Sequence, residues 1–217
     1  KVHEFMQAKA INKLVFASSS SVYGNNTKMP FSEDDNVDNP ISPYAFTKKA
    51  CELMNYTFHH LYHIDIINLR FFTVYGPGQR PDLAIHKFVE RISKNQPLVL
   101  FGNGDTARDY TYVDDTVSGI YSALEYCLNN TGVYTTVNLG NNKPVKLNEL
   151  VDIIYAAMGK EKNVVYEAMQ AGDVDITFAD ITKAGELLNY KPATDLAEGI
   201  RKFIAWYNTR NGQGNIE

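Results

Sequence analysis

An apolar strand, an amphipathic helix and a second apolar strand succeed one another between Lys13 and Phe72. That order constrains the chain more than any other feature. Lys13–Ala17 (KLVFA) is a short apolar run ending in four serines, Ser18 to Ser21, the pattern of a buried strand that gives way to a polar loop. From Tyr44 to His59 there is no Gly or Pro, and Ala50, Leu53, Met54, Thr57 and Leu61 recur at helical spacing. Ile64–Phe72 (IDIINLRFF) is β-branched and apolar. Strand, helix and strand make a βαβ unit, so a parallel sheet with a right-handed crossover is expected. Between the first strand and the helix, Gly24 to Pro43 carries Pro30, Pro40 and Pro43 among Asn and Asp clusters. It reads as a long loop, and a loop of that length in a compact domain is usually functional.

Beyond Gly76-Pro77-Gly78, Ile85, Phe88, Val89 and Ile92 mark a short helix. Leu98–Phe101 and Tyr110–Val113 read as strands, about Asp114–Cys127 as a helix, and Val133–Leu139 as a strand. Leu147, Leu150, Val151, Ile154, Tyr155 and Met158 form a helical stripe, as do Leu196, Ile200, Phe203, Ile204 and Tyr207. The fold class is α/β, parallel at first and more mixed later. The 217 residues allow one large domain or a domain and a half. A net charge of −4 excludes a basic footprint for nucleic acid or an anionic membrane. No apolar run is long enough for a transmembrane helix. Cys51 and Cys127 make no disulfide framework and fit the reduced thiols of a cytoplasm. The chain opens at Lys1 in a helical KVHEFMQAKA without the apolar region of a signal peptide, like a chain entered in mid-fold.

Tyr44 and Lys48 stand at i and i+4, on one helix face. A phenol titrates near about 10, and a nearby ammonium favours phenolate. Such a pair can act as general base toward an alcohol; the same spacing also occurs on solvated helix faces. Ligands of parallel sheets bind outside the carboxyl ends of the strands, where the serine run lies. A serine there could hydrogen-bond the alcohol that the tyrosine deprotonates, or be loop only. Two other patterns lead nowhere. Gly102-Asn103-Gly104-Asp105-Thr106-Ala107 matches a dinucleotide fingerprint, but the following Tyr110–Val113 is extended where the fingerprint needs a helix. His59 and His63 have metal-ligand spacing without a convincing further ligand, so no metal site is expected. Neither cysteine lies in a nucleophile motif.

FASSSSVYG (16–24), SPYAFTKK (42–49), LRFFTVYGPGQRPD (69–82) and RDYTYVDD (108–115) together resemble the extended short-chain dehydrogenase/reductases. Within them the chain is most similar to nucleotide-sugar epimerases, above all UDP-glucuronate 4-epimerases. The resemblance runs from about Leu14 to Tyr207. It implies the C-terminal portion of a Rossmann-type parallel sheet plus a smaller mixed α/β substrate domain. Residues 1–75 and about 106–140 would belong to the NAD-binding domain, with its first βαβ units absent, and 76–105 and about 141–217 to the sugar-nucleotide domain. The family's glycine-rich phosphate loop lies well before the serine motif, so this chain alone is expected to be inactive and to bind little or no NAD.

Residue by residue, the resemblance makes Tyr44 the catalytic base, with Lys48 its partner and holder of the nicotinamide ribose. Ser19 takes the catalytic Ser/Thr position; Ser18 lies beside the cofactor, and Ser20 and Ser21 beside the substrate. Thr73 and Arg80 stand where the subgroup grips a hexuronate carboxylate, which a guanidinium fork suits; on residue type alone they are a turn threonine and a surface arginine. Val99 and Phe101 match the segment covering uracil, although Phe101 fits ordinary core equally. Arg108 matches the arginine on the diphosphate, and Asp173 the segment that closes over the nucleotide. Gln170 stands where many relatives carry Arg, removing one charge from the phosphate grip. Related dehydratases carry Asp-Glu, and decarboxylases Glu, just before Val-Tyr-Gly; here Ser20 and Ser21 occupy that place. The implied reaction is NAD-dependent C4 epimerisation of UDP-glucuronate. A UDP-glucose 4-epimerase, another epimerase or dehydratase, and a non-catalytic sugar-nucleotide binder are the alternatives. Homodimers through Lys1–Ala10 and Tyr44–His59 are implied as well.

Overall fold

The computed structural model describes residues 1–168 and 176–212. A first helix, α1 (Val2–Ala8), precedes β1 (Lys13–Ser19), a 3-10 turn (Ser20–Tyr23), α2 (Pro43–Tyr62), β2 (Asp65–Phe71) and β3 (Thr73–Tyr75). Then come α3 (Ala84–Ser93), β4 (Leu98–Phe101), β5 (Ala107–Tyr112), α4 (Val113–Asn129), β6 (Tyr134–Leu139) and β7 (Pro144–Lys146). The chain continues through α5 (Leu147–Met158), β8 (Val164–Glu167), β9 (Ile176–Thr177), α6 (Thr182–Leu188) and α7 (Leu196–Gly212).

The βαβ unit is present. β1 and β2 pair in parallel with Lys13 opposite Asp65, and β6 adds in parallel to the other side of β2. α2 connects the first two strands and has a built start. Ser42 Oγ accepts the N–H of Ala45 at 3.1 Å, and Pro43 occupies the first turn, where no N–H is needed. It stops at His63, which adopts a left-handed conformation, φ 53°. His59 caps this end by donating Nδ1–H to the Ile64 carbonyl at 2.8 Å; no three His, Cys, Asp or Glu among the described residues are grouped to hold a metal ion. Central β2 alternates by face. Ile67 and Leu69 join Ala123, Cys127, Val137, Leu139 and Leu188 in an apolar core under α4 and α6. Ile66, Asn68 and Arg70 point to the other face, toward α2. No described strand pairs with the outer side of β1, which is therefore a sheet edge.

The second body of structure packs around α3, α5 and α7. Ile85, Val89, Leu98, Leu100, Leu150, Ile154, Ile200 and Phe203 form its core with Tyr75, Tyr110 and Tyr112. β4 pairs in parallel with β8, and β5 is flanked by β3 and β9 in parallel and β7 antiparallel. Gly199 lets α7 lie on β3, since a Cβ there would overlap the Tyr75 hydroxyl. The fingerprint-like segment is a turn: Gly102 and Gly104 have φ of 72° and 76° and lead into β5, not a helix. A Cβ on Gly104 would meet the Asn148 side chain. β5 starts at Ala107, earlier than the apolar pattern indicates, because Ala107 pairs with Lys146 and Ile176. β3, β7, β8 and β9, of two to four residues, were not legible as strands, because alternation needs a longer run.

Candidate functional site

The serine run sits at the carboxyl end of β1, and α2 brings Tyr44 and Lys48 to the same end. Lys48 Nζ donates to the Ala17 carbonyl at 2.7 Å, two residues before Ser19. The same ammonium is 5.7 Å from the centre of the Tyr44 ring and 5.5 Å from that of Phe16. Tyr44 itself is 55% exposed, so its phenol is open to a reactant. Ser19 caps the 3-10 turn, its Oγ accepting the Ser21 N–H at 3.2 Å. Ser20 opens that turn. Ser21 Oγ is buried and has no hydrogen-bond partner among the described residues.

Ser18 differs from its neighbours. It is 2% exposed and donates Oγ–H to Glu52 Oε1 at 2.5 Å. Its side chain is thus committed to α2. Ser18 and Ser19 end the strand on opposite faces, Ser18 buried and Ser19 half-buried.

Ser19 lies opposite Phe71 in the sheet register. Exposed Thr73 follows two residues later at the start of β3, which places it at the same sheet end. Arg80 is 73% exposed and pairs with Asp82 at 2.9 Å. A cavity of about 270 Å³ is lined by Val74 to Arg80 with Leu83 and Val113. Gln79 lines it too, with Nε2 donating to the Val74 carbonyl at 3.2 Å and a buried Oε1 that has no partner. Sequence reasoning passed over Gln79, whose signal was its place beside Arg80 in GPGQRPD.

A larger cavity of about 600 Å³ lies between α3 and the β4–β5 region and unites Val99, Phe101 and Arg108. Along β4, Leu98 and Leu100 are buried in the core, whereas Val99 and Phe101 are half-buried and face this cavity. Strand alternation therefore places Phe101 on the cavity wall and outside the core. Arg108 donates Nη1–H to the Ala107 carbonyl at 3.0 Å. Lys87 and Arg91, one turn apart on α3, also line the cavity. The apolar positions that reveal α3 in the sequence carry no signal for these two cations. The wall stays neutral at Tyr110, whose phenol burial pushes up to about 12. Tyr44, Lys48 and Ser19 are not among its lining residues, so the expected residues fall into two groups. Asp173 and Gln170 lie outside the described residues.

The residues present fit one end of NAD. Tyr44 and Lys48 offer a phenol and an ammonium at the carboxyl end of an edge strand, suited to a ribose and its nicotinamide. A glycine cradle for the pyrophosphate is not found among the described residues; the Gly102–Gly104 turn is closed by Asn148.

A family model described as GDP-mannose 4,6 dehydratase matches residues 2–203. The chain is 42% identical over 204 residues to a UDP-glucuronate 4-epimerase of Thermodesulfobacterium geofontis, covering 94% of this chain and 61% of that protein. Among solved structures, UDP-glucuronic acid 4-epimerase from Bacillus cereus, in complex with UDP-glucuronic acid and NAD, superposes with a TM-score of 0.88. That match has 32% identity and covers 96% of this chain and 65% of that one. UDP-N-acetylglucosamine 4-epimerase from Methanobrevibacter ruminantium, in complex with UDP-N-acetylmuramic acid, gives a TM-score of 0.88 at 31% identity, covering 94% and 66%. The chain therefore spans a little under two thirds of the length of these relatives. From the matched family model and this identity, the chain belongs to the GDP-mannose 4,6-dehydratase family of NAD-dependent epimerases and dehydratases.

Proposed function

We propose that the protein carrying this chain is an NAD-dependent UDP-sugar 4-epimerase, acting on UDP-glucuronate through a 4-keto sugar. The carrying observation is the Tyr44–Lys48 pair held at the carboxyl end of β1 beside Ser19. In this reading Tyr44 takes the proton of the sugar 4-hydroxyl and later returns it. Lys48, fixed by the Ala17 carbonyl, places a positive charge beside the phenol and reaches the nicotinamide ribose. Ser19 hydrogen-bonds the same sugar oxygen. NAD, when bound, supplies reversible two-electron oxidation of an alcohol carbon.

Ser20 and Ser21 stand where related dehydratases and decarboxylases carry acids. Without a carboxyl group there, proton transfer at C5 lacks a catalyst, and the chemistry stays at C4. Thr73 and Arg80 take the hexuronate carboxylate, and Ser20 and Ser21 lie beside the sugar. Val99 and Phe101 cover the uracil, and Arg108 meets the diphosphate with Lys87 and Arg91 from the same wall. In this reading residues 1–75 and about 106–140 form a cofactor domain and 76–105 and about 141–217 a substrate domain, although the cores cross those bounds: Tyr75, Tyr110 and Tyr112 pack in the second core, and Ala184, Leu188 and Tyr190 in the first.

The relatives in Thermodesulfobacterium geofontis and Bacillus cereus, named for UDP-glucuronate and UDP-glucuronic acid, support the uronate over a neutral hexose. Exposed Val2 and Phe5 on α1, with Leu53 and Met54 on α2, support a dimer through those helices. No described helix is long and apolar enough to cross a membrane. The test is incubation of the complete protein with UDP-glucuronate and product analysis by NMR. UDP-galacturonate is expected; recovery of a 4,6-dehydrated or decarboxylated sugar would contradict the assignment.

A further inference from the structure

α2 meets the parallel sheet through polar side chains, on the face opposite its apolar contact with α4 and α6. Two rungs cross the three strands in register. The upper rung is Ser18, Arg70 and Asn138, one residue before the sheet ends at Ser19, Phe71 and Leu139. The lower rung is Phe16, Asn68 and Thr136.

Glu52 of α2 enters the upper rung. Its Oε1 accepts from Ser18 Oγ at 2.5 Å and from Arg70 Nε at 3.0 Å, and its Oε2 from Arg70 Nη2 at 2.8 Å. Arg70 also donates Nη1–H to the Tyr23 hydroxyl at 3.1 Å, and Tyr23 donates to Asn138 Oδ1 at 2.7 Å. Burial pushes the Tyr23 phenol up to about 12, so it stays a donor. Ser18, Glu52, Arg70 and Asn138 are all 4% exposed or less. One turn later Asn55 enters the lower rung, donating to Asn68 Oδ1 at 2.7 Å, while Asn68 donates to Thr136 Oγ1 at 3.3 Å. His3 of α1 closes the set on Asn55 Oδ1 at 2.7 Å.

Tyr44, Lys48 and Glu52 follow at i, i+4 and i+8 on one helix face. Glu52 is therefore about 6 Å along the axis from Lys48 and about 12 Å from Tyr44. A slip of one residue would turn α2 by about 100°. Apolar contacts can re-form after such a slip, whereas a bidentate fork has one geometry. A buried ion pair adds little net stability, yet alternative placements that leave one charge unpaired are heavily penalised. We propose that Glu52, gripped by Arg70 and Ser18, is a positioning residue that fixes the axial and rotational setting of α2 and so places Tyr44 and Lys48 against Ser19. The inference rests on the reading of Tyr44 as the proton-transfer group. It also gives the inward-turned Ser18 hydroxyl its task.

The test pairs Glu52→Leu with Arg70→Met, which removes both charges at similar volume. In the complete protein the melting temperature stays within a few degrees, KM for the sugar nucleotide is unchanged, and kcat falls about 100-fold, the scale of a misplacement near 1 Å. A crystal structure of the same double variant of the complete protein shows Lys48 Nζ withdrawn from the Ala17 carbonyl. Glu52→Asp keeps the charge pair but shortens the arm, so it folds and loses kcat several-fold at constant KM. Unchanged kcat with α2 in place overturns the proposal, as does a kcat loss matched by a loss of folded protein. Where the unmutated protein shows no turnover, the proposed function fails. The crystal structure then decides alone, and an unmoved α2 overturns the positioning role.

Discussion

Arg80→Ala separates a uronate enzyme from a neutral-hexose enzyme. Arg80 now spends its guanidinium on Asp82 at 2.9 Å, with the two side chains 73% and 61% exposed. An ion pair that exposed is worth about 0–1 kcal/mol, so its loss leaves the fold intact. A hydrogen bond to a charged group within a binding site contributes about 1.5–3 kcal/mol. At about 1.36 kcal/mol per tenfold change, losing the carboxylate contact lowers kcat/KM for UDP-glucuronate by about 10- to 150-fold. UDP-glucose carries no carboxylate, and its kcat/KM should change by less than about threefold. The assay is steady-state epimerisation of both nucleotides by the complete protein, parent and variant side by side. Equal losses on both substrates, or no loss on either, would refute the carboxylate role of Arg80.

Phe101→Ala opens the wall of the larger cavity and should weaken UDP binding about 2- to 10-fold, read by calorimetry; unchanged affinity would remove Phe101 from the uracil site. Gly199→Ala sets a methyl against Tyr75 and should cost about 1–3 kcal/mol, lowering the melting temperature by several degrees, whereas an unshifted melt would deny the close α7–β3 contact. Asp65 is held below the ordinary carboxylate range: burial works to raise it, but Lys13 at 2.7 Å and the Val133 N–H at 2.6 Å outweigh burial. A lowered folded-state value means stability present above the unfolded carboxylate range and lost as pH falls through the folded one. Asp65→Asn should therefore destabilise by about 1–3 kcal/mol at neutral pH and converge with the parent in acid, as followed by urea unfolding. A pH-independent difference would contradict the ion-pair account. The 217-residue chain alone should bind NAD weakly, since the described residues supply the ribose end without a pyrophosphate cradle; tight binding in calorimetry would show a cradle elsewhere.

The βαβ unit was legible because its strands and helix are long enough for their periods to show. The Tyr44–Lys48 face followed from helical spacing, and the place of the serines from their position after an apolar run. Two- to four-residue strands such as β9 and β7 carry no period of their own; β5 organises them through non-local pairing. Phe101 was ambiguous by residue type, and strand alternation with buried Leu98 and Leu100 placed it on the cavity. The Ser18–Glu52–Arg70 grip was hidden for another reason. Its partners lie 34 and 18 residues apart, and only the register of β1 against β2 brings them together. The available signal was Asn68 and Arg70 inside the otherwise apolar run Ile66–Phe71, since polar residues buried in a central strand need partners.

The central claim is that Tyr44 moves the proton of the sugar 4-hydroxyl. Tyr44→Phe in the complete protein removes one exposed hydroxyl and should leave folding and cofactor affinity unchanged. Its kcat on UDP-glucuronate, followed by NMR of the UDP-galacturonate product, is predicted to fall by about 100- to 10,000-fold. Turnover within a few-fold of the parent would contradict the account.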